Sequence, residues 1–135
     1  MTPSTAARNV ADVLSRISTA CSKASPPPTR ATRLVAVSKT KPVEQLQEVY
    51  DAGHKIFGEN YVQEILEKAP KLPSDIRWHF VGHIQSNKAK ALVQGIPNLT
   101  VVETVDSKKL ADKLNTAVEQ CKSLREERVL DVMVQ

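Results

Sequence analysis

The sequence predicts an α/β protein of the (β/α)8 TIM-barrel type, of which the chain supplies an N-terminal helix, roughly the first four βα units and a fifth strand. Apolar runs that suit buried strands begin at residues 34, 55, 77, 100 and 129. Helical patterns fill the segments between them, which is typical of parallel strands joined by right-handed crossovers. A whole barrel usually needs about 250 residues, so the 135 residues predict a truncated one. An open doubly wound sheet would be complete at this length and is the structural alternative.

The N-terminal segment, residues 1–32, is predicted to form a helix followed by a proline-rich link. Apolar residues recur at helical spacing from about residue 5 to residue 23. Ser25-Pro26-Pro27-Pro28-Thr29 then ends the helix, because proline removes a backbone donor. Residues 33–135 are predicted to be the N-terminal part of the barrel.

The first two βα units are predicted from alternating apolar runs and helical faces. A strand over 34–38 is followed by a helix that ends at Gly53. A second strand over 55–58 is followed by a helix over 61–68, and we expect the Asn60 side chain to cap that helix.

The remaining elements follow the same alternation. A third strand over 76–81 leads to a short helix over 87–93, and a fourth strand covers 100–105. Ser107 is placed to cap a long amphipathic helix, and a fifth strand covers 129–134.

The composition argues against nucleic-acid and membrane partners. The net charge is +4, but basic and acidic residues are interleaved and only 4% of residues are aromatic, so a solvated surface is favoured. The apolar runs are far shorter than the ~20 residues that a membrane span needs. Cys21 and Cys121 have neither metal-ligand nor disulfide-scaffold spacing, and we assign no metal site.

The predicted location is the cytoplasm, with the mitochondrion as the second choice. The first 32 residues contain no secretory apolar region, but they are rich in Ser and Thr and contain Arg8 and Arg16. This composition faintly resembles a mitochondrial presequence.

Lys39 is the residue best placed for chemistry. It follows an apolar strand at the carboxyl end, where active groups of parallel α/β folds gather. A neutral lysine amine can capture a carbonyl as a Schiff base. Desolvation and the nearby charge of Lys41 would both favour that neutral form. From position alone, an ordinary lysine is the favoured interpretation, because lysines commonly end strands.

The other polar residues near strand ends have structural explanations as well. Asn60 suits a helix cap, and His79, within an apolar strand, suits a hydrogen-bonded core histidine. His83 lies in a loop, and no serine has the context of a nucleophile, so we assign no catalytic residue.

Three segments are specific when taken together: Leu34–Pro42 (LVAVSKTKP), Phe57–Glu64 (FGENYVQE) and Trp78–Lys88 (WHFVGHIQSNK). In this order and spacing they closely resemble the pyridoxal phosphate homeostasis proteins, single-domain relatives of the alanine racemase N-terminal barrel. The segments 103–106 and 132–135 are similar to the family's next two strands.

The resemblance implies a barrel that binds pyridoxal 5'-phosphate as an aldimine on Lys39, rather than on Lys41. It also implies that Asn60 and His79 lie near the cofactor. Members of this family are regarded as non-catalytic regulators of intracellular cofactor homeostasis, and apo-enzymes that use the cofactor are candidate partners. The family's phosphate-binding residues lie on late strands outside this chain, so weak cofactor binding and marginal folding are expected.

Two other functions remain open at this point. One is a pyridoxal-phosphate-dependent enzyme similar to an amino-acid racemase, for which Tyr61 near the strand ends would be the tyrosine to test. The other is an α/β binding module without a cofactor, which would form no lysine-dependent imine.

Overall fold

The computed structural model describes residues 2–135, so Met1, the first residue of the predicted N-terminal segment, lies outside it. The helices of the described residues are α1 (Thr5–Lys23), α2 (Val43–Asp51), α3 (Val62–Lys68), α4 (Ala89–Gly95) and α5 (Lys108–Gln120). The strands are β1 (Ala36–Val37), β2 (Ile56–Glu59), β3 (Arg77–Phe80), β4 (Leu99–Val105) and β5 (Asp131–Val134). Short 3-10 turns precede β3 and α4, at Ala69–Lys71 and Ser86–Lys88.

The five strands form one parallel sheet whose order is the order of the chain, β1-β2-β3-β4-β5. The predicted α/β class with parallel strands is therefore confirmed. The sheet is open, with β1 and β5 as its edges, so a closed barrel is not confirmed. A doubly wound sheet reverses its strand order at a switch point, and this sheet has no such reversal, so that alternative is wrong.

The hydrophobic core lies on one face of the sheet, between the strands and the helices α2 to α5. Ala36, Phe57 and Trp78 are neighbours across β1, β2 and β3, and Phe57 and Trp78 are fully buried. Because side chains alternate along a strand, every second residue faces this core. The helices contribute Leu46 and Val49 from α2, Ile65 from α3, Leu92 and Val93 from α4, and Leu110, Leu114 and Ala117 from α5.

The opposite face of the sheet, which we call the inner face, is formed by Val37, Gly58, His79 and Val101. These residues are neighbours in register across the first four strands and lie outside the core cluster. A Cβ atom on Gly58 would lie 2.9 Å from Cγ1 of Val35, so only glycine fits here without displacing its neighbour. The inner face is therefore tightly packed around Gly58, next to β1.

Asn60 does not cap α3, contrary to the prediction. The cap residue is Tyr61, whose side chain makes no capping hydrogen bond, and α3 begins at Val62. The side chain of Asn60 instead packs against Gly82, where an added Cβ would lie 2.8 Å from Asn60 Oδ1. The Asn60 side chain therefore contacts the segment after β3 instead of capping α3.

Three further expectations have clear outcomes. Ser107 caps α5 as predicted, since its Oγ accepts a hydrogen bond from the backbone N–H of Leu110 at 3.1 Å. Cys21 and Cys121 are free thiols. Within residues 2–135, no helix combines the length and the apolar character that a transmembrane segment requires.

Candidate functional site

The carboxyl ends of β1, β2 and β3 bring the predicted site residues to one rim of the sheet. Lys39 lies two residues beyond Val37, the last residue of β1, and Asn60 follows Glu59, the last residue of β2. Because the strands are parallel, their carboxyl ends meet at the same edge. His79 lies one residue before the end of β3. The three residues predicted from the sequence thus lie at or just beyond the carboxyl ends of three adjacent strands.

Lys39 is exposed, so the desolvation expected for its amine is not found. The physical reason is the open sheet: Val37, on the inner face of β1, is itself 56% exposed. A strand at the edge has a neighbour on one side only, and its end is covered from one side only.

His79 is buried on the inner face with both ring nitrogens unpartnered among residues 2–135. Its nearest acidic group is Glu103, whose Oε1 is 3.9 Å from Nδ1, which is too long for a hydrogen bond. Burial lowers the pKa of His79, while the charge of Glu103 works in the opposite direction. His79 is therefore not the hydrogen-bonded core histidine that its sequence context favoured. A buried polar group without a partner is a candidate for contact with a ligand.

The lowered pKa of His79 predicts a loss of stability in mild acid. The unfolded chain binds a proton at this residue near the ordinary pKa of 6.5, whereas the folded chain binds it only at lower pH. Between these two pKa values, the unfolded state holds more protons than the folded state. The stability that is present above the unfolded-state pKa therefore decreases as the pH falls through the lowered pKa of the folded state. Urea denaturation at several pH values should show this decrease, and His79→Gln should weaken it. His83→Gln, at an exposed histidine, is the control and should leave the dependence in place.

A buried ionic network lies directly beneath the Lys39 segment, on the helix side of the sheet. Lys68 Nζ donates to the Ser38 carbonyl at 2.8 Å and to Glu59 Oε2 at 3.0 Å. It also lies 3.3 Å from Glu64 Oε1, and the Ser38 hydroxyl donates to the Glu59 carboxylate. The backbone N–H of Thr40 donates to both oxygens of Glu64, at 2.7 and 3.0 Å.

The pKa values of the two carboxyl groups in this network are shifted in opposite directions. Burial raises the pKa of Glu59, and the hydrogen bonds from Ser38 and Lys68 only partly offset it. Partial desolvation also opposes ionisation of Glu64, but the Thr40 N–H and its other hydrogen-bond partners hold the pKa of Glu64 below its usual value. The network therefore carries a well-stabilised carboxylate next to the segment that contains Lys39.

Sequence reasoning did not identify this network. Two signals were present: Glu59 ends an apolar strand, and Glu64 and Lys68 stand four residues apart on one helix. Neither signal shows that Lys68 binds the Ser38 carbonyl and Glu64 binds the Thr40 N–H, because that depends on how α3 packs against β1 and β2.

A second polar cluster occupies the rim between β3 and β4. His83 Nδ1 lies 2.9 Å from Asp106 Oδ2, and the backbone N–H of Gly82 donates to Thr104 Oγ1 at 3.1 Å. Gly82 has a φ of +107°, a conformation that side-chain-bearing residues rarely adopt. These contacts join the loop after β3 to the end of β4.

The large surface cavities lie away from this rim. One of about 500 Å³ runs between α4 and α5 and is lined by Lys90, Lys109 and Lys113 among others. Another, of about 570 Å³, lies near Pro97 and Arg128. Neither is lined by Lys39, Asn60 or His79. We place the candidate site at the rim because the unpartnered ring of His79 and the buried ionic network beneath the Lys39 segment are there.

Comparison with known proteins confirms the resemblance stated from the motifs, although no family model matches the chain. The chain is 56% identical over 90 residues to the pyridoxal phosphate homeostasis protein of Bos taurus, a match that covers 63% of this chain and 33% of that protein. It is 42% identical over 111 residues to the protein of the same name from Pasteurella multocida, covering 80% of this chain and 46% of the relative.

A solved structure of PipY from Synechococcus elongatus, with PLP bound, has a related fold. It superposes with a TM-score of 0.66 and 34% sequence identity, covering 85% of this chain and 49% of PipY. The match thus spans between a third and a half of the length of these three proteins.

Proposed function

We propose that this chain binds pyridoxal 5'-phosphate, functions in the intracellular homeostasis of that cofactor, and carries it on Lys39. The observation that carries the proposal is the position of Lys39: it lies just beyond the carboxyl end of the first strand of a parallel sheet, on the same rim as Asn60 and the unpartnered ring of His79. The similarity to pyridoxal phosphate homeostasis proteins and to PLP-bound PipY supports it.

The chemistry proposed for Lys39 is a single condensation. The unprotonated Nζ adds to the aldehyde carbon of the cofactor, water leaves, and a C=N bond replaces the C=O bond. Lys39 is exposed in the described structure, so an incoming aldehyde can reach its amine. The reaction is reversible by water, so the remaining contacts determine how long the adduct lasts.

The inner face offers groups that fit the ring of the cofactor better than its phosphate. His79 and Asn60 offer polar atoms that could lie beside the ring, whereas the space over Gly58 is occupied by the side chain of Val35. A phosphate dianion requires several donors or a helix N-terminus. We assign no phosphate-binding residue within 2–135, and therefore expect weak binding by this chain.

The finer fold proposal is that the sheet is the first part of a (β/α)8-type barrel. Strand order that follows chain order, with the core helices on one face, is the arrangement that such a barrel requires. The apo-enzymes that use the cofactor are proposed recipients, and the cytoplasm is the proposed location.

Borohydride trapping tests the role of Lys39. Purified protein is mixed with pyridoxal 5'-phosphate, its visible absorption is recorded, and the adduct is reduced and located by peptide mapping. We expect the reduced adduct on Lys39, and its loss in Lys39→Ala, because that variant has no amine at this position. Lys41→Ala is the matched control, since Lys41 is also exposed and lies two residues away, and it should keep the adduct.

Labelling spread over surface lysines, and unchanged in Lys39→Ala, would contradict the proposal. Adduct lost in Lys41→Ala rather than in Lys39→Ala would move the covalent site to Lys41.

A further inference from the structure

Lys39 lies between two backbone groups that are each bound by a charged side chain of α3. On one side, the Ser38 carbonyl accepts a hydrogen bond from Lys68 Nζ at 2.8 Å. On the other side, the Thr40 N–H donates to the Glu64 carboxylate at 2.7 and 3.0 Å. Both side chains come from the same helix, so the segment is tied to a single rigid element.

Lys68 is the central residue of this arrangement. It is 7% exposed and contacts the fully buried Glu59, at 3.0 Å, as well as Glu64. Buried charges are costly to leave unpaired, so the contact of Lys68 with Glu59 Oε2 resists local rearrangement, while Glu59 Oε1 has no partner among residues 2–135. The anchor for the Ser38 carbonyl is therefore fixed by interactions that do not involve Lys39.

The backbone at Thr40 is held in a conformation that it would not adopt unaided. Its φ is +66°, in the left-handed region that β-branched residues strongly disfavour. Strain of this kind persists where surrounding contacts impose it. The two hydrogen bonds to Glu64 are such contacts, because they fix the direction of the Thr40 N–H.

We propose that Lys68 and Glu64 are positioning residues that hold the backbone on both sides of Lys39 and thereby fix the direction of its amine. They touch neither the cofactor nor the reacting atoms. The proposal rests on the proposed function, in which Lys39 carries the cofactor. Without these contacts the turn would relax, and forming the imine would require ordering a mobile segment, which weakens binding.

The first test needs no cofactor and compares two variants at Glu64. Glu64 is partly exposed, so the protein should tolerate both substitutions. Glu64→Gln keeps an oxygen that can accept from the Thr40 N–H, whereas Glu64→Met removes it. Hydrogen–deuterium exchange at the Thr40 amide should accelerate about tenfold or more in Glu64→Met, because local opening becomes easier. In Glu64→Gln it should stay closer to the rate of the original protein.

The second test measures pyridoxal 5'-phosphate directly. We expect Glu64→Met and Lys68→Met to raise the apparent dissociation constant about tenfold and to reduce trapping at Lys39 in proportion. The matched control is Arg125→Met: Arg125 is also a buried cation that binds backbone carbonyls, those of Pro97 and Val129. These carbonyls lie at the amino end of the sheet, so this variant should lose stability without a specific loss at Lys39.

Unchanged Thr40 exchange in Glu64→Met, or equal loss of trapping in Arg125→Met, would overturn the positioning role. The two proposals fail in different ways. If the original protein forms no adduct at Lys39, the proposed function fails, while the Thr40 exchange rates still decide whether the network holds this segment.

Discussion

Replacing Trp78 with alanine is expected to lower the free energy of unfolding by about 3–5 kcal/mol. Trp78 is fully buried on β3, the central strand, with Phe57 and Leu99 as its register neighbours on either side. Its ring centroid lies 5.9 Å from that of Phe57 at an interplanar angle of 44°. Domains of this kind are stable by only about 5–15 kcal/mol in total, so the variant should lie near its unfolding threshold.

Urea denaturation followed by far-ultraviolet circular dichroism would measure this loss, since Trp78 is the only tryptophan and its fluorescence disappears with it. Trp78→Phe is the informative control. The indole Nε1–H has no partner among the described residues, so phenylalanine removes an unpaired buried donor and keeps much of the packing. It should therefore cost much less than alanine. Equal losses in both variants would contradict this explanation, because phenylalanine keeps an aromatic ring in the core and alanine does not.

Replacing Lys68 with methionine is expected to cost about 3–5 kcal/mol at neutral pH, because it leaves the Glu59 carboxylate buried without its cation. The double variant Lys68→Met with Glu59→Gln should recover most of that loss. Glutamine keeps an oxygen and an amide near Ser38 but carries no charge. A double-mutant cycle on the free energy of unfolding measures the coupling between the two residues.

The pH dependence of this loss has a definite sign. Burial already raises the pKa of Glu59 in the folded protein, and removing Lys68 takes away one of the groups that oppose this rise. The folded state then holds a proton that the unfolded chain releases, so stability is retained at low pH and decreases as the pH rises through the folded pKa. The loss in Lys68→Met should therefore shrink in acid. A loss of the same size at every pH would mean that Glu59 is not its source.

The periodic elements were predictable from the sequence because their signals are local. α1 spans Thr5–Lys23, as its apolar spacing predicts, and α5 begins at the residue after its cap, Ser107. Asn60 shows the limit of this reasoning. Its type and position suit a helix cap, but its side chain instead contacts Gly82, in the loop after the next strand.

The positions of the candidate site residues were predictable as well, but their surroundings were not. The motif around Lys39 indicates a strand end, and the structure has that lysine just beyond β1. The exposure of Lys39 depends on which strands border β1, and a local sequence pattern contains no information about neighbouring strands. Likewise, His79 was assigned to an apolar strand correctly, while the lack of a partner for its ring is a property of the assembled inner face.

The sequence by itself determined the alternation of strands and helices, the parallel class and the lysine at the end of the first strand. Only the tertiary structure decided that Ser38, Glu59 and Lys68 form one buried network, since Lys68 and Ser38 are 30 positions apart in the chain. The physical reason is that periodicity and caps are encoded within a few residues. Strand register, and the packing of α3 against two strands, arise from the sum of many distant contacts.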